Sequence, residues 1–186
     1  MDEIKRQPGG DEKEDFSSAH DKIVNCVTAC IHIARAPDII KQQQNLIDFF
    51  LISLSPNFSW PVKVSVFSSI KELCSKLHTE TAGSQDSSQY ASIVSFAHEL
   101  FCKTSVKVLE IIQTVKIAQV HIAASECLVE MVNLLKAIRQ LPGGEVAFSR
   151  EFVQVYEMEK NEHAKSLLKR CIDILENLEK EHKVSS

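Results

Sequence analysis

Glycine and proline are scarce in this chain, five of each in 186 residues. The glycine pairs Gly9-Gly10 and Gly143-Gly144 are not followed by the Lys-Ser/Thr that a phosphate-cradling loop needs, so nucleotide binding is disfavoured. Six cysteines include no CxxC knuckle of the kind that builds structural zinc sites. No apolar run reaches the roughly 18 residues of a membrane span, and the start MDEIKRQPGG is too hydrophilic for a signal peptide. A net charge of −4 supplies no concentrated positive field for nucleic acid or an anionic membrane surface. Alternation of period two, the mark of a strand, is absent. No group of residues forms a recognisable catalytic site. The expectation is a soluble, cytoplasmic and also nuclear protein without cofactor, metal, nucleic-acid partner or membrane insertion.

What is present is helix-forming material. Apolar residues make up 44% of the chain at a mean hydropathy of −0.07, and a single domain of this size buries roughly 70% of the surface its unfolded form exposes. Two segments organise it, residues 119–137 (QVHIAASECLVEMVNLLKA) and residues 60–77 (WPVKVSVFSSIKELCSKL). With Val62 set against Val120, the series Val62, Val66, Ile70, Leu73, Leu77 falls in step with Val120, Ala124, Leu128, Met131, Leu135. Steps of four, four, three and four residues put each series on one side of a helix. Ser65 matches Ala123 and Ser69 matches Cys127, small positions where a neighbouring helix can approach closely.

In chain order, residues 1–16 carry six acids and three bases with too little apolar surface to offset ordering entropy, which predicts a disordered acidic leader. Ser17 or Ser18 caps a first helix through Arg35, buried along Ile23, Val27, Cys30, Ile31 and Ala34. Ala36-Pro37 breaks it. A second helix runs over 38–54, and its LIDFFLISL half is apolar on nearly every side, which predicts burial between two layers. The third starts at Pro61 and reaches His78; 79–88 is a polar loop. A fourth helix over 89–102 and a short fifth over 106–115 flank a bend at 103–105. The sixth ends near Gln140 before Leu141-Pro142-Gly143-Gly144. Ser149 caps the last, to about Lys183, with Glu151 in its first turn and a break near Asn161. Its narrow stripe of Phe152, Val155, Leu167, Leu168, Cys171, Leu175 and Leu178 leaves a charged outer face, which suits the closing helix of a stack. Seven helices joined by short turns, with two copies of one pattern, predict stacked helical pairs, an all-α solenoid.

Each chemically capable group has a structural reading beside the reactive one. Cys26, Cys30, Cys74, Cys102, Cys127 and Cys171, mostly beside apolar neighbours, fit reduced thiols acting as small buried apolar groups. Cys26 and Cys30 lie four apart with His20 and His32 nearby, a conceivable metal set without the usual knuckle. His121 and Cys127 are six apart and so face different sides of their helix. Glu126, Glu130, Glu157, Glu159 and Glu162 fit exposed faces better than a carboxylate pair. Trp60 beside Pro61 reads as a staple of the turn. Lys63, Lys71 and Lys76 share a predicted face, either solvated or turned to an acidic partner.

Residues 120–131 (VHIAASECLVEM) and 60–73 (WPVKVSVFSSIKEL) resemble the second helices of HEAT repeats, in which an aromatic, a Val with a basic neighbour, small residues and Leu recur in this order. Within these stretches only Val62/Val120 and Glu72/Glu130 are identical, and the copies lie 58 residues apart where roughly 40 to 47 is usual. Residues 115–131 and 155–178 are similar to the carboxyl-terminal end of the large HEAT-repeat proteasome adaptor and scaffold proteins, in a plant-like version, with the likeness spanning 21–178. The resemblance implies an α-solenoid of HEAT-like pairs over 17–183 with a C-terminal capping helix and a tail at 184–186. It implies a non-catalytic role, holding the core and regulatory particles of the proteasome together; it brings no short motif from which partner-binding residues can be named. Family members are very large, so this chain is expected to be a fragment or short form. Its first helix should then expose an apolar patch above the few hundred Å² usual for monomers and allow self-association on the N-terminal side. The alternatives are a HEAT-type adaptor in transport or trafficking and a thiol- or metal-dependent enzyme.

Overall fold

The computed structural model describes residues 11–83, 87–139 and 148–185. Most of the predicted leader, the middle of the predicted 79–88 loop and the Leu141-Pro142-Gly143-Gly144 breaker lie outside them. Among the described residues there are eight helices and no strand: α1 (Asp11–Ile33), α2 (Ala36–Ile40), α3 (Gln43–Ser53), α4 (Trp60–Gly83), α5 (Ser87–Thr114), α6 (Ala118–Ile138), α7 (Phe148–Met158) and α8 (Glu162–Ser185). The class is all-α, as the periodicity requires.

Several boundaries differ from expectation. The first helix starts at Asp11, so 11–16 belong to it and not to a leader. The predicted second helix is two, α2 and α3, parted at Lys41-Gln42; Pro37 sits in the first turn of α2, where its missing N–H costs nothing. No bend interrupts 103–105. α5 is continuous through its small polar residues, with the Thr104 hydroxyl returned to the Leu100 carbonyl at 2.6 Å and Ser105 buried. α4 continues past His78 to Gly83. α6 ends at Ile138 on Arg139, whose φ of 52° is left-handed, a C-cap without glycine. The break near Asn161 is present: its side-chain oxygen accepts the Ala164 N–H at 3.0 Å and caps α8. Ser149 lies inside α7, and its hydroxyl meets the Glu179 carboxylate at 3.0 Å, so it is a tie between α7 and α8 and caps nothing.

The helices contact one another in two files. α1, α4, α6 and α8 lie side by side in that order, α3, α5 and α7 form the second file, and α3–α4, α5–α6 and α7–α8 pack as consecutive pairs. Both aligned series lie in the core: Val62, Val66, Ile70, Leu73 and Leu77 are fully buried, as are Val120, Ala124, Leu128 and Leu135, with Met131 nearly so. Each such Val, Leu, Ile or Met side chain contributes about 1.5–3 kcal/mol by leaving water. The small positions do admit a neighbour: Ser69 of α4 bonds the Thr28 hydroxyl of α1. Together with Asp21–Ser65 (2.6 Å) and His32–Glu72 (2.8 Å) this contact rises in step along both helices, so α1 and α4 run parallel. That polar ladder also sets the rotation of α1. Val24 and Ile31 turn inward, while Ile23 and Cys30, expected in the buried stripe, turn outward. The second half of α3 is not enclosed on all sides either: Phe50 and Leu54 are buried, whereas Ile52 is 61% exposed.

Candidate interaction surface

The groups singled out for chemistry are largely engaged in holding helix ends. Lys63 is 5% exposed, and its ammonium donates to the Ser55 and Phe58 carbonyls at 2.8 and 2.6 Å, just past the end of α3. Burial, with Lys107 adding repulsion, lowers its pKa from the ordinary lysine range. Lys76 donates to the last carbonyls of α1, Ile31 at 2.9 Å and His32 at 2.7 Å, which lack intrahelical partners. Lys71 pairs with Glu126 of α6 at 2.6 Å. The expected common face for an acidic partner therefore dissolves into three internal ties.

The cysteines divide into two sets. Cys74, Cys127 and Cys171 are buried, and burial pushes their thiols up, Cys171 to about 12. Cys26, Cys30 and Cys102 are exposed, contrary to the expectation of buried thiols. His20, near Cys26 in sequence, instead bonds the Ser53 hydroxyl at 2.8 Å and stacks on Phe58 at 4.0 Å; burial lowers its pKa, against an opposing pull from Asp21. Among the described residues no three His, Cys, Asp or Glu side chains are gathered to hold a metal ion.

A pairing invisible from local spacing joins the α5–α6 and α7–α8 turns. Glu159, whose side chain is 1% exposed, meets His121 Nδ1 at 2.8 Å through Oε2 and accepts the N–H groups of Lys160 and Asn161 at 2.8 and 2.7 Å through Oε1. His121 Nε2 faces the Val115 carbonyl, which only accepts, so that nitrogen carries a proton. The pair lines a hollow of about 520 Å³ with Val155, Met158 and Lys116. Every polar atom of the pair has a protein partner. Its chemistry is that of a latch.

The two ends of the files differ sharply. The outer face of α8 presents Lys169, Arg170, Asp173, Asn177 and Lys180, all exposed. At the other end α1 presents Ala19, Ile23, Cys26, Ala29, Cys30 and Ile33 outward, with Ile23 51% and Ile33 79% exposed. Beside it an open groove of about 510 Å³ runs between α1 and α2–α3, lined by Val27, Cys30, Ala34, Leu46 and Phe49 among others. An apolar face of this kind marks an interaction site when it is contiguous. No helix is long and apolar enough to cross a membrane among the described residues. No family model, no curated protein and no solved structure matches this chain.

Proposed function

We propose that this chain is a non-catalytic scaffold or adaptor module, an α-solenoid of HEAT-like helical pairs closed by α8, that acts by presenting its flank and its apolar end to other proteins. The observation that carries this reading is the contrast between its interior and its α1 end. The lysines, glutamates and histidines with chemical capacity are largely tied to helix ends and to each other, while isoleucine and cysteine stand exposed on α1. The two files of consecutively paired helices support the solenoid reading, and the polar outer face of α8 supports its role as a cap.

The resemblance of residues 115–131 and 155–178 makes the proteasome the partner in this proposal, with its core and regulatory particles as the two bodies held together, in the cytoplasm and the nucleus. The test is a native pull-down with the tagged full chain, read by antibodies to subunits of both particles. Recovery of both supports the assignment. A pull-down free of either, from chain that is folded by circular dichroism, removes the proteasome and leaves the helical architecture untouched; coat or cargo subunits in its place favour the trafficking adaptor.

A further inference from the structure

We infer that the outer face of α1 is a self-association surface, on which α1 of a second copy lies antiparallel with the two-fold axis beside Cys26. Ala19, Ile23, Cys26, Cys30 and Ile33 are all exposed and follow one another at steps of four, three, four and three residues. That is the spacing of a seam between two helices. The opposite side of α1 is already used: Val24 and Ile31 are buried and the polar ladder binds α4. α1 therefore carries two stripes, and only one is covered.

Three observations select a second copy as the occupant. The first is self-complementarity, which a two-fold interface demands. About an axis at Cys26, the large Ile33 faces the partner's Ala19, Ile23 faces the partner's Ala29, and Cys26 meets the partner's Cys26. Large side chains thus fill the space beside small ones on either side of the axis, where Cys26 meets its own copy. A parallel pairing would instead stack Ile on Ile and Ala on Ala. The second is charge. Lys22, exposed on this face between Ala29 and Ile33 around the helix axis, falls opposite the partner's Cys30 and away from the partner's Lys22, so the antiparallel register avoids like-charge opposition. The third is the far end of the molecule: the exposed Lys169, Arg170 and Asp173 of α8 lose solvation if an apolar face is laid on them, which disfavours head-to-tail stacking.

Size sets the strength. The stripe from Ala19 to Ile33 is about 21 Å long at 1.5 Å per residue, and with the adjoining groove it is about two helix diameters wide, giving a footprint of roughly 400 Å² per partner. Standard interfaces bury about 800 Å² per partner, so this one is about half the usual size and the dimer is expected to be weak and reversible. The inference concerns a second copy of the chain and does not depend on the proteasome being a partner.

Sedimentation of the full chain over a concentration series should show a monomer–dimer equilibrium. Ile23→Glu/Ile33→Glu should raise Kd about tenfold or more, a loss of at least 1.4 kcal/mol, and Val106→Glu, at an exposed site on α5, should leave it unchanged. Should the double variant lose helicity by circular dichroism, Ala29→Arg takes its place with the same expected effect. Register is read by a short bismaleimide. The Cys30→Ser/Cys102→Ser variant, which keeps Cys26, should give a covalent dimer; Cys26→Ser/Cys102→Ser should give little, since the two Cys30 positions are offset by about 12 Å of helix rise. A chain that stays monomeric to its solubility limit overturns the inference. So does a dimer indifferent to the α1 variants, or one in which Cys26 and Cys30 cross-link equally.

Discussion

Removing the carboxylate of Glu159 should cost this protein a large part of its stability, and the size of the loss follows from the bonds it holds. The side chain is 1% exposed, accepts two backbone N–H groups at the start of α8 and pairs with His121. Glu159→Ala strands those two donors and leaves the His121 ring without its partner inside the structure. Breaking a buried pair by removing one member costs about 3–5 kcal/mol, against a total stability of roughly 5–15 kcal/mol for a typical domain. Glu159→Gln behaves differently. Its amide oxygen can accept both N–H groups, and its amide N–H can donate to Nδ1 of a neutral His121 that keeps its Nε2 proton on Val115. The loss should then be about 1 kcal/mol, one ordinary hydrogen bond's worth. Urea unfolding followed by circular dichroism measures both, and in a thermal scan the alanine variant should melt about 6–20 °C lower. Pairing with His121→Ala in a double-mutant cycle should show non-additivity above about 0.5 kcal/mol. If Glu159→Ala lies within about 1 kcal/mol of the parent chain, or Glu159→Gln is as damaging as Glu159→Ala, the latch is not what joins these turns.

Three further outcomes are expected. His20 binds protons less readily folded than unfolded because burial lowers its pKa, so its contribution is complete above about pH 6.5 and is lost as pH falls below that value; a urea midpoint that declines toward pH 5 should decline less in His20→Gln, and equal slopes would refute the assignment. In Cys26→Ser/Cys30→Ser, Cys102, exposed although partial burial raises its thiol, should react with a thiol reagent faster than Cys74, Cys127 and Cys171, which are buried and should react only as fast as the chain opens; four rapid equivalents would contradict this. Ser125 Oγ is buried with no hydrogen-bond partner, so Ser125→Ala should stabilise by about 1 kcal/mol, and a destabilisation of that size would show that the hydroxyl is bonded after all.

Periodicity made the interior legible because core positions repeat within one helix. The Val62 and Val120 series needed only the 3.6-residue turn to be placed, and the structure buries every member. Rotation about a helix axis is harder to read when two sides are apolar. On α1 the sequence offers Ile23, Val27, Cys30 and Ile33 as well as Val24 and Ile31, and the inner side is chosen by Ser65, Ser69 and Glu72 on α4, more than thirty residues away. Continuity of α5 was equally hidden. Lys103 to Ser105 looks like a bend until Thr104 is seen returning its hydroxyl to Leu100. Charged side chains misled for a related reason: Lys63 and Glu159 have the composition of a wet surface, and nothing in their immediate sequence marks them as buried.

The destination of those side chains bears on why exposed apolar surface is found on α1. Every helix leaves about four carbonyls and four N–H groups without intrahelical partners, and a stack joined by short turns brings many such ends against neighbouring helices. Polar side chains that would otherwise face a ligand are drawn to them. Lys76 goes to the end of α1, Tyr90 to the Ile138 carbonyl at 3.1 Å, Glu159 to the start of α8 and Glu179 to the Ser149 N–H at 3.2 Å. Apolar surface follows a different rule: a file of helices covers one side of each helix with the next and leaves the outer faces of its terminal members open, while single apolar residues such as Ile52, Val106 and Met158 stand exposed along the flank. α8 answers with charge and α1 with isoleucine and cysteine. A partner that lowers the free energy of this molecule by burying apolar area therefore gains most at α1, where a single Ile33 side chain, now 79% exposed, is worth about 1.5–3 kcal/mol once covered.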